Sequence, residues 1–226
     1  MIKGIIFDKD GTLFDFNATW GAWTRNMIIS EAGARADEMA DLLGYDMAAA
    51  VFRPGSIVIA ETTDVVADAM LSLLPDTTKH DLIMRLGDAS KHVPQIAAAP
   101  LRPVLADLRA MGLVLGVATN DTETAARANL ADVADLFDFI AGCDSGYGCK
   151  PAAGQLHGFC AATGLDPAGC AMVGDSLHDL HAGRAAGMTC IGVLTGPAPR
   201  SALAAHADVV LASIGDLGAW ISAQAQ

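Results

Sequence analysis

Basic residues are scarce in this chain. Its 226 residues include 14 lysines and arginines against 26 aspartates and glutamates, which gives a formal net charge of −12 at pH 7. Nucleic-acid binding needs a basic surface, so this balance argues against a nucleic-acid partner. A phosphorylated small molecule stays open as a ligand, because a divalent cation and one lysine can set the field of a local site.

Long apolar runs and paired cysteines are also lacking. Mean hydropathy is +0.37, but the apolar runs have strand length, well short of the roughly 18 residues of a membrane-spanning helix. A secretion signal has a basic segment followed by an apolar one, and the amino terminus shows no such pattern. Five cysteines are an odd number without metal-site spacing, which argues against a disulfide framework or structural zinc. We expect a cytoplasmic protein with no membrane partner.

Two compositions are interleaved along the chain. Residues 1–15 have the pattern of a strand and a turn, and residues 17–93 are helical, with no convincing strand. After Pro94 strands and helices alternate, which predicts an α/β fold with a parallel sheet and helices on both faces. We therefore predict a catalytic core of residues 1–15 and 96–226, and a helical cap domain of residues 16–95 inserted after the first strand. Helices are predicted in that block at Ala18–Ala32, Ala36–Leu43, Thr62–Leu74 and Thr77–Lys91.

The most informative stretch is the first fifteen residues, MIKGIIFDKDGTLFD. The apolar run Ile5–Phe7 is followed at once by Asp8 and Asp10, and then by Gly11-Thr12. Residues i and i+2 lie on the same side of a strand, so both carboxylates can face one site. Ligands of open α/β sheets bind at the carboxyl ends of such strands. Two acids held there would repel each other unless a cation or a lysine neutralises them, so the pattern predicts half of a metal site.

Three later strand-like runs are followed by polar residues suited to binding phosphate and metal. The first leads into Thr119-Asn120, a hydroxyl and an amide before a helix amino terminus, where an anion is favoured. Lys150-Pro151 follows the second, and Pro151 is expected at the first position of the next helix. The third ends at Asp175, with Asp179 one helical turn further on. A hydroxyl, a lysine and four carboxylates in these places suit phosphoryl transfer with a hard cation.

Together these residues resemble the four motifs of the haloacid dehalogenase-like hydrolase superfamily. The motifs are Asp8-Lys9-Asp10-Gly11-Thr12, Thr119-Asn120, Lys150-Pro151, and Gly174-Asp175-Ser176 through Asp179. They occur in order, each after a suitable strand, and the set is far more specific than any single motif. The helical block is similar to the insertion cap of the phosphoglycolate phosphatase-like subgroup. The resemblance implies a Rossmann-like parallel-sheet core with an inserted helical cap.

The resemblance also implies roles for the motif residues. Asp8 would be the nucleophile that attacks phosphorus, and Asp10 would protonate the leaving oxygen and later take a proton from water. Mg²⁺ would be held by Asp8, the backbone carbonyl of Asp10 and Asp175. Thr119 and Lys150 would hold the phosphoryl oxygens of a small phosphorylated metabolite.

Further residues are expected to support this site. Asp179 would orient Lys150 or a metal-bound water, and Thr12 and Ser176 would support the catalytic groups from outside. Asn120 is expected to bind substrate, with a plain turn residue as the alternative. Arg53 lies in a loop-like break between helical stretches. We predict that it binds a substrate carboxylate, although a solvated surface arginine is the simpler interpretation.

Four functions fit the motifs. A carboxylate at Asp10, which the dehalogenases of the superfamily lack, favours a magnesium-dependent phosphatase, with phosphoglycolate as the leading substrate by cap type. The alternatives are a β-phosphoglucomutase-like phosphosugar mutase, a phosphonate hydrolase and a non-enzymatic binding protein. A phosphonate hydrolase needs a cap lysine that forms an imine, and neither Lys79 nor Lys91 is obviously placed for that. Cys143 and Cys149 flank the Lys150 loop, where packed thiols are favoured over a redox pair. The sequence leaves monomer and homodimer equally open.

Overall fold

The computed structural model describes residues 1–53, 55–60, 63–90 and 93–224. It divides into two compact units, Met1–Asp15 with Ala97–Gln226, and Phe16–Ile96. The strands in chain order are β1 (Gly4–Phe7), β2 (Tyr45–Asp46), β3 (Val51–Phe52), β4 (Val114–Ala118), β5 (Phe139–Ala141), β6 (Cys170–Gly174), β7 (Thr189–Val193) and β8 (Val209–Leu211). The α-helices are α1 (Phe16–Ala32), α2 (Ala36–Leu43), α3 (Ile57–Ala60), α4 (Thr63–Leu71), α5 (Lys79–Ser90), α6 (Leu101–Ala110), α7 (Glu123–Asn129), α8 (Gly154–Thr163), α9 (Leu177–Ala186), α10 (Arg200–Ala204) and α11 (Leu217–Gln224).

A six-stranded parallel sheet organises the first unit. Its strand order is β5-β4-β1-β6-β7-β8, and β1 pairs with β4 on one side and β6 on the other. All four residues of β1 are buried. Ile5 and Phe7 belong to one hydrophobic cluster and Ile6 to another, as expected for a strand covered on both faces. The predicted α/β fold with a Rossmann-like parallel sheet is confirmed.

The second unit, Phe16–Ile96, contains α1 to α5. Its core is built on Ile28, Met39 and Leu43, together with Tyr45, whose hydroxyl donates a hydrogen bond to the Gly21 carbonyl oxygen at 2.5 Å. The bounds of α2 match the prediction. Thr62, the predicted start of one helix, and Lys91, the predicted end of another, lie outside the described residues. An imine-forming role of Lys91 is therefore not addressed by the structure.

Two local predictions are wrong. Residues 17–93 were predicted to contain no strand, but β2 and β3 form a short antiparallel pair there. Strands of two residues are too short to show a periodic pattern in the sequence. Pro151 does not begin α8. The Ala152 N–H donates to the Cys149 carbonyl in a turn, and the first helical hydrogen bond runs from His157 to Ala153, so the helix starts at Gly154. Among the described residues, no helix combines the length and the apolar character needed to cross a bilayer.

Candidate active site

The carboxyl ends of three neighbouring strands bring the predicted residues together. Phe7 at the end of β1 is in register with Val117 of β4 and Val173 of β6. The residues that follow these strands therefore meet at one edge of the sheet, and the Asp8 N–H donates to the Val173 carbonyl at 2.8 Å. This is the edge at which parallel α/β sheets bind ligands.

Lys150 bridges two buried carboxylates at this edge. Its Nζ lies 2.5 Å from Asp8 Oδ1 and 2.7 Å from Asp179 Oδ1, and all three residues are buried. A charge held in a protein interior must be paired, and here one ammonium serves two anions. With Asp175 also buried beside them, the group carries more negative than positive charge.

Burial and this imbalance shift the pKa values of the group. Burial raises the pKa of Asp8 to about 7, although the Lys150 ammonium acts to lower it. Burial, together with the Asp179 and Asp8 carboxylates, raises the pKa of Asp175 well above its ordinary value. Burial acts to lower the pKa of Lys150, but the Asp179 and Asp8 carboxylates outweigh it and hold that pKa above its ordinary value. Charged carboxyls at Asp8 and Asp175 therefore need a further cation.

Oxygen ligands for such a cation are present. Carboxylate oxygens of Asp8, Asp175 and Asp179 all lie within 4.8 Å of one another. A set made only of oxygen donors suits a hard divalent cation rather than a thiophilic one. The donor chemistry and the excess of buried negative charge therefore fit the predicted metal site.

Asp175 lies in a cradle of glycine backbone. A Cβ built at Gly11, which has a φ of +80°, or at Gly196 would collide with the Asp175 carboxylate. The Thr12 hydroxyl donates to Asp175 Oδ1 at 3.2 Å, and the Thr195 hydroxyl donates to the Gly11 carbonyl at 2.7 Å. The loop after β1 and the loop after β7 thereby hold this carboxylate in one position.

The start of α9 fixes the orientation of Asp179. Ser176 caps the helix: its side chain accepts the Asp179 N–H, and Asp179 Oδ2 accepts hydrogen bonds from the Ser176 N–H at 3.0 Å and its hydroxyl at 2.7 Å. This capping box uses one Asp179 oxygen and leaves Oδ1 for Lys150. Ser176 thus contacts the site through Asp179.

Thr119 and Asn120 follow β4 and contact different partners. The buried Thr119 hydroxyl accepts the Asp121 N–H at 3.1 Å. Asn120 holds the backbone of Lys150 at both ends: its Nδ2 donates to the Lys150 carbonyl at 2.9 Å, and its Oδ1 accepts the Lys150 N–H at 2.8 Å. In this structure the Asn120 amide positions the lysine, and its role as a substrate ligand stays a prediction.

Arg53 belongs to the second unit, Phe16–Ile96. Its guanidinium is 2.8 Å from Asp41 Oδ1, and both side chains are largely exposed. Its N–H donates to the Gly44 carbonyl at 2.8 Å. Its predicted contact with a substrate carboxylate therefore stays a prediction.

The expectation of packed thiols at Cys143 and Cys149 is wrong, because the two residues form a disulfide with Cα atoms 4.8 Å apart. The intervening loop turns back on itself through Gly146 and Gly148, which have φ values of +85° and +78°. Only glycine adopts such angles readily, and this reversal brings together two cysteines that are six positions apart.

Three contributors were missed by the sequence reasoning. Lys9 is fully buried beside Asp10. Gln155 is also fully buried, and its Nε2 donates to the Thr119 carbonyl at 2.9 Å. Thr195 follows β7 at the same sheet edge, so the rule used for the other strands could have found it. Lys9 does follow β1, but a lysine between two aspartates gives no sign that its side chain is buried, and Gln155 lies inside α8 rather than at a strand end.

Comparisons with known proteins identify the family of this chain. The sequence model for haloacid dehalogenase-like hydrolases matches residues 2–187. The chain is 32% identical to the phosphoglycolate phosphatase of Yersinia pseudotuberculosis, over 96% of this chain and 91% of that protein.

Solved structures share the fold. A HAD family hydrolase from Deinococcus radiodurans, with bound phosphate and sodium, aligns with a TM-score of 0.72 at 22% identity, covering 99% of this chain and 96% of that one. A β-phosphoglucomutase from Clostridium difficile aligns with a TM-score of 0.66 at 18% identity, covering 96% and 93%. At these identities the two structures establish the fold alone.

Proposed function

We propose that this chain is a magnesium-dependent phosphatase of small phosphorylated metabolites. It belongs to the haloacid dehalogenase-like hydrolase family and to the phosphoglycolate phosphatase-like subgroup of that family. The observation that carries the proposal is the position of Asp8. It is a buried carboxylate at the end of the central strand, with the Lys150 ammonium at 2.5 Å and two more carboxylates beside it. Such a group serves as a nucleophile towards an anionic phosphoryl group only where cations offset the charge.

In the first step an Asp8 carboxylate oxygen attacks phosphorus. A bond forms between that oxygen and phosphorus as the bond from phosphorus to the leaving alkoxy oxygen breaks, and Asp10 gives its carboxyl proton to that oxygen. The alcohol leaves and Asp8 carries the phosphoryl group. Lys150 and Thr119 hold the phosphoryl oxygens and stabilise the charge that develops on them.

In the second step water attacks the phosphoryl group on Asp8. Asp10, now a carboxylate, takes a proton from the water as the new bond to phosphorus forms. The bond between phosphorus and the Asp8 oxygen breaks, which returns Asp8 to its carboxylate and releases inorganic phosphate. Asp10 is left protonated for the next turnover.

Asp8, Asp175 and the backbone carbonyl of Asp10 would hold Mg²⁺, with Asp179 directing its Oδ1 to Lys150. When bound, the ion neutralises phosphoryl oxygens and favours their attack by a nucleophile. The closeness of the three carboxylates and the raised pKa values of Asp8 and Asp175 support a cation here, and the all-oxygen donor set supports a hard one.

Phosphoglycolate is the proposed leading substrate, and the similarity to the Yersinia phosphoglycolate phosphatase supports it. We propose that the unit Phe16–Ile96 acts as a substrate-selecting cap domain and that Arg53 binds the substrate carboxylate. An arginine on an exposed aspartate, as here with Asp41, can exchange that weak partner for another carboxylate at little cost.

The test of this function is phosphate release from a panel of phosphoglycolate, sugar phosphates and nucleotides, with Mg²⁺ and with chelator. Magnesium-dependent release with a clear preference for phosphoglycolate is the expected result. Preference for another ester would support the proposed phosphatase reaction but show that phosphoglycolate is not the leading substrate. No release from any of them, together with tight Mg²⁺ binding, would contradict the proposal and favour the mutase, for which dependence on a sugar bisphosphate activator is the next measurement.

A pH-dependent stability effect is expected at Asp8. Because its pKa rises from 3.8 to about 7 on folding, the native state holds more protons than the unfolded state between these values, and stability falls as pH rises through that window. Asp8→Asn removes this fall in stability, because asparagine does not titrate. In chelator the variant should therefore melt like the wild type near pH 4 and at a higher temperature than the wild type above pH 7.

Thermal melts at both pH values, with and without Mg²⁺, measure this effect. Added Mg²⁺ should raise the wild-type midpoint more than that of Asp8→Asn, because the ion binds the native state through the charged carboxylate. Asp107→Asn, an exposed change on α6, serves as the control and should follow the wild type. A variant less stable than the wild type above pH 7 in chelator would contradict the shifted pKa.

A further inference from the structure

Lys9 is a lysine with no exposed surface. It follows β1 between Asp8 and Asp10, and its side chain has a relative accessibility of 0%. Lysine is almost never fully buried unless its ammonium is paired. A buried ion pair also contributes little net stability compared with apolar side chains of similar volume. Stability alone therefore does not explain why a lysine occupies this position.

The ammonium of Lys9 contacts three side chains. Its Nζ lies 2.6 Å from Asp10 Oδ2 and 3.6 Å from Asp121 Oδ2, and it donates a hydrogen bond to Asn129 Oδ1 at 3.1 Å. Asp121 precedes α7, and Asn129 is the last residue of that helix. Lys9 therefore links the carboxylate of Asp10 to α7.

The backbone of Lys9 also shapes the loop that carries Asp10. Its carbonyl oxygen accepts hydrogen bonds from the N–H groups of Leu13 at 3.0 Å and Phe14 at 3.1 Å. Both halves of the residue thus act on the same loop. The carbonyl folds the loop back on itself, and the ammonium contacts the Asp10 carboxylate that the loop carries.

We infer that Lys9 is a positioning residue for Asp10. The inference rests on the proposed phosphatase mechanism, in which the Asp10 carboxyl proton moves to the leaving oxygen as the bond from phosphorus to that oxygen breaks. Proton transfer requires donor and acceptor within hydrogen-bond distance, and misplacement by about 1 Å can cost roughly 10²-fold in rate. The Asp10 side chain is 22% exposed, and the fully buried Lys9 ammonium lies 2.6 Å from its Oδ2, so this contact fixes one oxygen of the carboxyl group relative to the loop.

The test compares leaving groups. Protonation of the leaving oxygen matters for an alkyl phosphate such as phosphoglycolate, whose product is a poor leaving alkoxide. It matters far less for 4-nitrophenyl phosphate, whose phenolate is stable without a proton. The Lys9→Met variant, which replaces the ammonium by an apolar group of similar length, should lower kcat/KM for phosphoglycolate at least about tenfold more than for 4-nitrophenyl phosphate.

A double-mutant cycle separates positioning from a general structural role. If Lys9 acts through Asp10, Lys9→Met should have no further effect on phosphoglycolate hydrolysis once Asp10 is replaced by asparagine. Equal losses on the two substrates, no loss on either, or additive losses in the double variant would overturn the inference. A wild-type protein that hydrolyses neither substrate would instead overturn the proposed phosphatase function, so the two failures are distinct.

Asn129→Ala provides a second variant if Lys9→Met does not fold. It removes the hydrogen bond that ties the ammonium to the end of α7 and keeps the buried charge pair with Asp10. The same preferential loss on phosphoglycolate is expected, smaller in size, with the melting midpoint of each variant recorded beside its kinetics. Equal effects on both substrates from this variant would also count against the inference.

Discussion

Asp8→Asn is expected to lose at least about 10³-fold of the wild-type kcat/KM, because the covalent intermediate cannot form without the nucleophile. Asparagine has nearly the same shape as aspartate, but its amide does not attack phosphorus. The buried position at the end of β1 accepts a neutral side chain without an unpaired charge, so the fold should survive.

Phosphate release measures the loss, and mass spectrometry of acid-quenched protein identifies its cause. Wild-type protein quenched during turnover should carry one phosphoryl group on the peptide that contains Asp8, and the variant should carry none. Asp107→Asn, an exposed change on α6, should release phosphate at the wild-type rate. Activity in Asp8→Asn above roughly one hundredth of the wild-type value would argue against the nucleophile assignment.

Lys150→Met should have the largest effect on stability. The change leaves the buried carboxylates of Asp8 and Asp179 without the ammonium that lies 2.5 and 2.7 Å from them. Removing one member of a buried ion pair costs about 3–5 kcal/mol of unfolding free energy. Activity should fall by roughly 10²-fold or more, because the ammonium no longer stabilises charge on the phosphoryl oxygens.

Urea unfolding in chelator at neutral pH measures the stability effect. Lys79→Met is the matched control, since the Lys79 Nζ lies 3.0 Å from Asp64 Oδ1 and 2.8 Å from Asp68 Oδ2 but its side chain is 38% exposed, and exposed ion pairs contribute little to stability. The loss in Lys150→Met should shrink as the pH falls, because the raised pKa values of Asp8 and Asp175 let these carboxyls take up protons. Two variants of equal stability at neutral pH would show that Lys150 does not hold the site together.

Much of the core could be predicted from the sequence because its signals are local. The match of the hydrolase family confirms the resemblance inferred from the four motifs. The helix α9 (Leu177–Ala186) begins after a serine cap, and the strand β8 (Val209–Leu211) is a short apolar run, so both carry signals that are visible in the sequence. The short helices α3 and α10 and the β2–β3 pair were missed, because segments of two to five residues show no periodicity.

The sequence indicated which residues lie at the candidate site but not which of them contact one another. Strand-end polar residues indicated that Asp8, Lys150 and Asp175 would share one sheet edge, because parallel strands end on the same side. The sequence carried no sign that Asn120 would hold both ends of the Lys150 backbone. It also did not indicate the disulfide between Cys143 and Cys149, which depends on how a glycine-containing loop reverses direction.

The sequence by itself therefore determined the fold class, the family and the set of residues at the strand ends, since hydrophobic periodicity and motif spacing are properties of neighbouring positions. Only the tertiary structure decided which charges meet. Lys150 pairs with Asp8 across 142 positions, and Lys9 bonds to Asn129 across 120. Such contacts are set by how helices pack on the sheet and by which buried charge can find a partner there, and no local pattern encodes that choice.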